Sequence, residues 1–248
     1  MREMLLWATA ALVALAPLPA ASADEVLRIA TEGDYPPFSA VDETGALTGF
    51  DVDVAKALCA AMKRRCELVK TAWADIIPGL LNRHYDAIVA SMSITEERKR
   101  QVAFTNRYYR TPMNLVGRKG QKIGDAAKDL AGRAVAAERD TTAHYHLRDN
   151  VAKARILLVP TQAEANAALL SGKADFLMAD SLVMWRFVKD NPQYEFVGQP
   201  VYLDEGIGIA LRKGEDDLLK AFNQAIARIR LDGTYKTIND KYFPFDIY

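Results

Sequence analysis

The chain has 248 residues, enough for one ample core or two smaller ones. Its 32 lysines and arginines balance 32 aspartates and glutamates, which leaves no global field to draw in nucleic acid or an acidic membrane surface. Partners are therefore expected to be small or locally recognised.

The opening MREMLLWATAALVALAPLPAASA has one early arginine, an apolar stretch broken by Pro17 and Pro19, and the small-residue ending Ala21-Ser22-Ala23. It reads as a secretory signal over residues 1–23, cleaved before Asp24. A membrane anchor is the weaker alternative, because the uninterrupted apolar run is shorter than the roughly 20 residues a span needs. No cysteine follows the cut to carry a lipid. Export permits oxidation of the two cysteines, Cys59 and Cys66, and a disulfide is the favoured state. One continuous helix could not hold it, since seven residues at about 1.5 Å rise set the Cα atoms roughly 10 Å apart. The helix must end before Cys66 and turn back. Two cysteines without clustered histidines make a poor metal site, and His144 and His146 read as surface or packing residues, so no metal or cofactor is expected.

Beyond residue 24, short apolar runs alternate with amphipathic stretches, the pattern of α/β units on parallel sheets. After the strand-like EVLRIA, TEGDYPPF (31–38) stops the strand with two prolines and holds Glu32, Asp34 and Tyr35 at its end. DVDVAKALCAAMKRR puts Val54, Leu58, Ala61 and Met62 on one helical face, opens on Asp51 and Asp53, and closes on three cations that suit the helix dipole. WADIIPGLLNR predicts a second helix, with Pro78 near its first turn, followed by the strand YDAIVA. SMSITEERKR starts a helix at Thr95. TQAEANAALLSG opens with the capping box Thr161/Glu164 and ends at Gly172, ahead of the strand ADFLMA. EDDLLKAFNQAIARIR is a further helix whose apolar face is Leu219, Phe222, Ile226 and Ile229.

Parts of the chain resemble one another. LLNRHYDAIVAS (80–91) and LLSGKADFLMAD (169–180) agree at Leu-Leu, at the aspartate opening each strand and at the alanine closing it; IATEGD (29–34) and VAAERD (135–140) agree at alanine, glutamate and aspartate. These matches point to a duplicated α/β design, with chance similarity of short windows as the alternative. Duplication makes Glu32 the counterpart of Glu138, and Ser91 that of Asp180. All four then sit at the carboxyl ends of strands, where open parallel sheets gather ligands.

Around these ends the residue types suit a small charged ligand. Amides at the Thr95 helix start, the hydroxyls of Ser91 and Ser93 and the guanidinium of Arg98 could hold a carboxylate, as could Thr141 or Thr142 in RDTTAHY; a capped surface helix is the plainer reading of each. Tyr35 and Trp73 could face each other across a gap and offer two π faces to a flat or cationic group. The glycine pattern EGIGIALRKG lacks the lysine-serine/threonine ending of a phosphate-binding loop.

Together, TEGDYPPF, GFDVDVAKALC with its second cysteine seven residues on, W.DIIPGL, YDAIVASMSITEERK, AFTNRYY, GIALRKG and DGTYKTINDKYF resemble the periplasmic basic-amino-acid-binding proteins of ABC importers, the lysine/arginine/ornithine-, histidine- and arginine-binding group. The resemblance covers essentially all of residues 25–248. It implies an α/β fold of two lobes with parallel-rich sheets flanked by helices and a two-stranded hinge, the type II periplasmic-binding-protein fold. Lobe 1 would comprise 24–111 and 205–248, and lobe 2 residues 112–204. It further implies that Arg98 pairs with the ligand carboxylate, helped by Ser93 and Thr142, and that Asp180 holds the α-ammonium with the Ser91/Ser93 region. Tyr35 and Trp73 would sandwich the side chain, and a cysteine pair at this spacing forms a disulfide in several relatives. Ala90 replaces a serine common in that group, Glu32 replaces an aspartate, and Glu138 stands where an apolar residue is usual, with Arg139 able to neutralise it.

The expected function is capture of a basic amino acid, arginine first and lysine, ornithine or histidine next, by cleft closure in the periplasm. The expected partners are an ABC permease and its ATPase; a monomer with no membrane span after cleavage is expected. An opine-binding protein, or a dehydratase acting on prephenate- or arogenate-like acids with Glu138 as proton donor, is the alternative.

Overall fold

The computed structural model describes residues 26–248, so the signal expected over 1–23 lies outside the described residues. In chain order the first part comprises β1 (Leu27–Thr31), β2 (Asp34–Tyr35), β3 (Ser39–Val41), β4 (Leu47–Thr48), α1 (Phe50–Met62), β5 (Cys66–Lys70), α2 (Trp73–Leu81), β6 (Ala87–Ile88), α3 (Glu96–Gln101) and β7 (Ala103–Phe104). A second part follows: β8 (Met113–Arg118), α4 (Ala126–Asp129), β9 (Ala134–Glu138), α5 (Thr142–Asn150), β10 (Arg155–Val159), α6 (Gln162–Leu170), β11 (Phe176–Asp180), α7 (Ser181–Asp190) and β12 (Tyr194–Val201). The chain then returns to the first part with β13 (Ala210–Leu211), α8 (Asp216–Leu231) and α9 (Thr234–Tyr242).

Two five-stranded sheets carry these parts, in the orders β5-β1-β6-β13-β7 and β10-β9-β11-β8-β12. Each has a parallel trio at one side, with β1 between β5 and β6, and β9 between β10 and β11; each then continues in antiparallel strands. The two sheets therefore share one plan, and the segments that resemble each other in sequence occupy equivalent strands: IATEGD and VAAERD in β1 and β9, YDAIVAS and ADFLMAD in β6 and β11. This is the two-lobed α/β architecture. Ile207 is bridged to both Ser93 and Tyr109, which seats the returning chain in the first lobe.

Helix α1 shows how local chemistry sets these elements. Gly49 precedes it at φ 127°, and a Cβ there would lie 2.3 Å from the Phe38 carbonyl oxygen, so the tight approach demands glycine. The buried face is Phe50, Val54, Leu58 and Cys59, with Ala61 and Met62 only partly covered. The helix stops at Met62 because Lys63 turns left-handed, so Lys63, Arg64 and Arg65 lie past its end rather than in its last turn. That turn brings Cys66 back, and the Cys59–Cys66 disulfide spans 6.2 Å between Cα atoms. Asp51 and Asp53 do not simply face solvent at the helix start: Asp51 is buried, and Asp53 accepts from Lys241 Nζ and the Tyr242 hydroxyl of α9 at 2.6 and 2.7 Å. Pro78 sits deeper in α2 than expected, at its sixth residue.

The prolines of TEGDYPPF do more than end a strand. They form the turn of a small antiparallel sheet, β2-β3-β4, which carries Tyr35. Phe38 just beyond stacks on Tyr109 at 4.8 Å between centroids, and Phe50 meets both rings edge-on. Burying such rings is worth about 1.5–3 kcal/mol each, so the segment that holds Tyr35 is anchored by the core.

Candidate functional site

The four strand ends converge. Glu32 follows β1, Glu138 ends β9, Ser91 lies beyond β6 and Asp180 ends β11, all at carboxyl ends and all buried. With Tyr35, Trp73, Ser93, Arg98 and Thr142 they line one narrow hollow between the two lobes. A wider hollow of about 1090 Å³, open to solvent, adjoins it along Trp73, Arg98 and Thr142. The lobes are closed on each other: Tyr35 donates to Asp180 at 2.5 Å, while Trp73 Nε1 and Arg98 Nη2 donate to the Asp140 carbonyl at 3.1 and 3.3 Å.

Among the described residues Arg98 is the one cation lining the inner hollow, and it is 7% exposed. Thr95 caps the short α3, its hydroxyl oxygen accepting from the Arg98 amide. The guanidinium donates through Nη1 to the Ser93 carbonyl at 3.1 Å and lies 5.1 Å over the Trp73 ring. Among the described residues no carboxylate is within ion-pair distance of it. Burial lowers its pKa, opposed by the fields of Tyr145, Asp180 and Asp204. A buried guanidinium held only by carbonyls and a ring is a ready partner for a carboxylate.

The opposite character prevails elsewhere in the hollow. Asp180 uses Oδ2 to accept from Tyr35, but no donor reaches its buried Oδ1. Burial pushes its pKa up to about 7, against the opposing effect of the Tyr35 hydroxyl. No N–H or hydroxyl donor reaches Glu138 Oε1 either. Glu138 shares the hollow with Glu32 instead, and both acids are raised, chiefly by burial and, for Glu138, next by the Glu32 charge. Arg139 does not neutralise Glu138: it is exposed, because successive residues leaving β9 point to opposite sides.

Other residues take roles that spacing alone could not reveal. The Ser91 hydroxyl is committed to Asp51 Oδ2 at 2.8 Å, and Tyr108 donates to the other oxygen at 2.8 Å. Asp51, in a helix first turn by sequence, thus braces Ser91, which stands at φ 50°. The Ser93 side chain lies beside Asp204, a partly buried acid of the returning chain whose field also reaches Arg98. Gln162, the first residue of α6, lines the hollow and donates to Asn166 at 2.9 Å. Thr142 opens α5, while the cap itself is Thr141, whose oxygen accepts from the His144 amide. His144 and His146 stay on α5, bonded within their own segment. Tyr35 and Trp73 both line the hollow but serve different partners: Tyr35 reaches Asp180, and the planar group over Trp73 is the protein's own Arg98.

Comparison with known proteins agrees with this geometry. The family model of bacterial extracellular solute-binding proteins, family 3, matches residues 27–245. The chain is 42% identical to an L-arginine-binding protein of Pseudomonas aeruginosa, over 100% of this chain and 99% of that protein. It superposes on an ancestral arginine-binding protein bound to arginine with a TM-score of 0.82 at 36% identity, covering 88% of this chain and 98% of the other. It also matches the ancestral amino acid-binding protein AncCDT-1, a precursor of cyclohexadienyl dehydratase, with a TM-score of 0.80 at 33% identity over 88% and 95% of the two chains. With a two-sheet plan, a closed cleft and a match running almost the whole described length, the chain belongs to the bacterial extracellular solute-binding proteins, family 3.

Proposed function

We propose that the protein captures a basic amino acid, arginine before lysine, ornithine or histidine, in the periplasm and delivers it to an ABC permease and its ATPase. One observation carries the reading: two buried carboxyl oxygens without protein donors, on Asp180 and Glu138, line the same hollow as a buried guanidinium that lacks a carboxylate. A free amino acid with a cationic side chain supplies the three complementary groups. Its carboxylate goes to Arg98, with Thr142 from the other lobe; its ammonium goes to Asp180; its side chain goes to Glu32 and Glu138. Guanidinium is favoured over ammonium because it can fork to two carboxyls and lie flat on a ring.

The chain divides, in this reading, into 24–111 with 205–248 and, between them, 112–204. Ligand contacts made by both halves exist only when the cleft is shut, so the ligand stabilises the closed form by what the open form lacks. The closed monomer is then the species the permease takes up. Among the described residues no helix is long and apolar enough to cross a membrane, which accords with delivery to a separate permease.

A thermal-shift panel of arginine, lysine, ornithine, histidine, glutamine and octopine tests the ligand class, since a ligand selective for the native state raises the transition by mass action. Arginine should give the largest shift; glutamine ahead of a silent arginine would overturn the reading. The raised acid Glu138 favours one second reading, a dehydratase, which aromatic product from prephenate or arogenate would establish. We place the chain among non-enzymes because Arg98, Asp180 and the acid pair are all assigned to binding.

A further inference from the structure

Glu32 and Glu138 belong to different lobes yet line the same hollow. Each stands at the carboxyl end of the central strand of its own parallel trio, each is at most 5% exposed, and each carboxyl lies in the other's influence. Two like charges facing each other in one hollow away from water repel strongly, so the pair is not doubly ionised there. The pair therefore retains a proton in the closed, unliganded cleft, as other buried carboxyl pairs do.

The surroundings offer no substitute for it. Lys70 on β5 is the single cation whose field acts on Glu32 among the leading influences, and it acts more weakly than Asp34 on β2. Asp34 and Asp180 both press further on Glu138. Tyr35 reaches Asp180 rather than either glutamate, Arg98 is held by the Ser93 and Asp140 carbonyls, and on α6 Gln162 is neutral and Glu164 exposed. Arg139 is exposed as well.

Resting on the ligand reading above, we propose that Glu32 and Glu138 hold one shared proton across the cleft and that a cationic ligand side chain takes its place. The O–H bond of the glutamic acid breaks, the proton leaves to solvent, and both carboxylates then accept N–H bonds from the incoming guanidinium or ammonium. The acid pair is thus a site for one positive charge, filled by a proton when empty of ligand and by the cargo when loaded. Binding of a cationic amino acid releases close to one proton, and its affinity rises with pH by up to about tenfold per unit while the pair still holds that proton. A neutral side chain leaves the proton in place.

Calorimetry of arginine binding to the full mature chain, repeated near neutral pH in buffers of different ionisation enthalpy, counts the protons released. Wild type should release close to one more proton than Glu138→Gln, in which the amide donates permanently to Glu32. Any proton that Asp180 loses to the ligand ammonium is common to both proteins and cancels. Equal release from the two, or arginine binding with no release by wild type, would overturn the exchange while leaving the ligand reading intact. Absence of binding by arginine and by lysine alike would overturn both.

Discussion

Replacing Arg98 by methionine separates a binding role from a structural one, because the two predict effects in different places. In the unliganded protein the substitution removes hydrogen bonds to the Ser93 and Asp140 carbonyls and the stacking on Trp73. Bonds to a charged donor are worth about 1.5–3 kcal/mol each, and a desolvated cation–π contact about 2 kcal/mol. Against this stands the cost of keeping a cation 7% exposed without an ion-pair partner, several kcal/mol in real proteins. The terms nearly cancel, and the shorter, apolar methionine replaces the aliphatic part of the arginine chain, so unliganded stability should change by no more than about 2 kcal/mol. Binding should behave differently. A ligand carboxylate left buried without its partner costs about 3–5 kcal/mol, which is a loss of more than about two orders of magnitude in Kd. Urea unfolding of the ligand-free protein measures the first quantity and calorimetry with arginine the second. A variant that binds arginine within a few fold of wild type, or that loses several kcal/mol of stability, would refute the assignment of Arg98 to the ligand.

Three further outcomes follow from the same structure. Burial raises the Asp51 carboxyl from an ordinary 3.8 to about 7 against hydrogen bonds from Tyr108 and Ser91; a raised acid gives stability that is complete below its unfolded value and disappears as pH climbs through the folded one. Between pH 5 and 8 wild type should therefore lose about 3 kcal/mol more unfolding free energy than Asp51→Asn, and parallel pH profiles would contradict this. Tyr35→Phe removes the donor that favours ionised Asp180, so affinity for arginine should fall about tenfold, by roughly 1.5 kcal/mol, with the loss fullest below pH 7 and shrinking at higher pH; unchanged binding would show that the hydroxyl does not support the site. Opening the Cys59–Cys66 bond, whose ends are 7 residues apart, should cost about 2.5 kcal/mol of stability by loop entropy while leaving affinity within a factor of two, as urea titrations with and without the paired Cys→Ser changes would report.

What the sequence disclosed depended on how local each determinant is. Helices α1 and α8 bury faces set by three- and four-residue spacing, so Leu58, Phe222, Ile226 and Ile229 could be placed inside from the pattern alone. The repeated segments pointed to equivalent strands because a β-strand leaving a helix through a turn carries its alanine and aspartate at fixed positions. Contacts between distant segments were not legible. Nothing near Asp51 in sequence indicates that Ser91 and Tyr108, 40 and 57 residues on, will close over it. Likewise Asp204 reaches Ser93 only because the chain returns beside Ile207. Arg139 illustrates the reverse error: adjacency to Glu138 suggested a pair, but alternation along an extended strand sends neighbours apart.

The position of a cationic amino acid in the cleft is the most direct test of these ligand assignments. A crystal structure of the mature chain with arginine should show the ligand carboxylate on the Arg98 guanidinium, the ammonium at Asp180 Oδ1, and the guanidinium lodged between Glu32 and Glu138. Arginine bound with its guanidinium turned away from both glutamates, or with its carboxylate remote from Arg98, would contradict them.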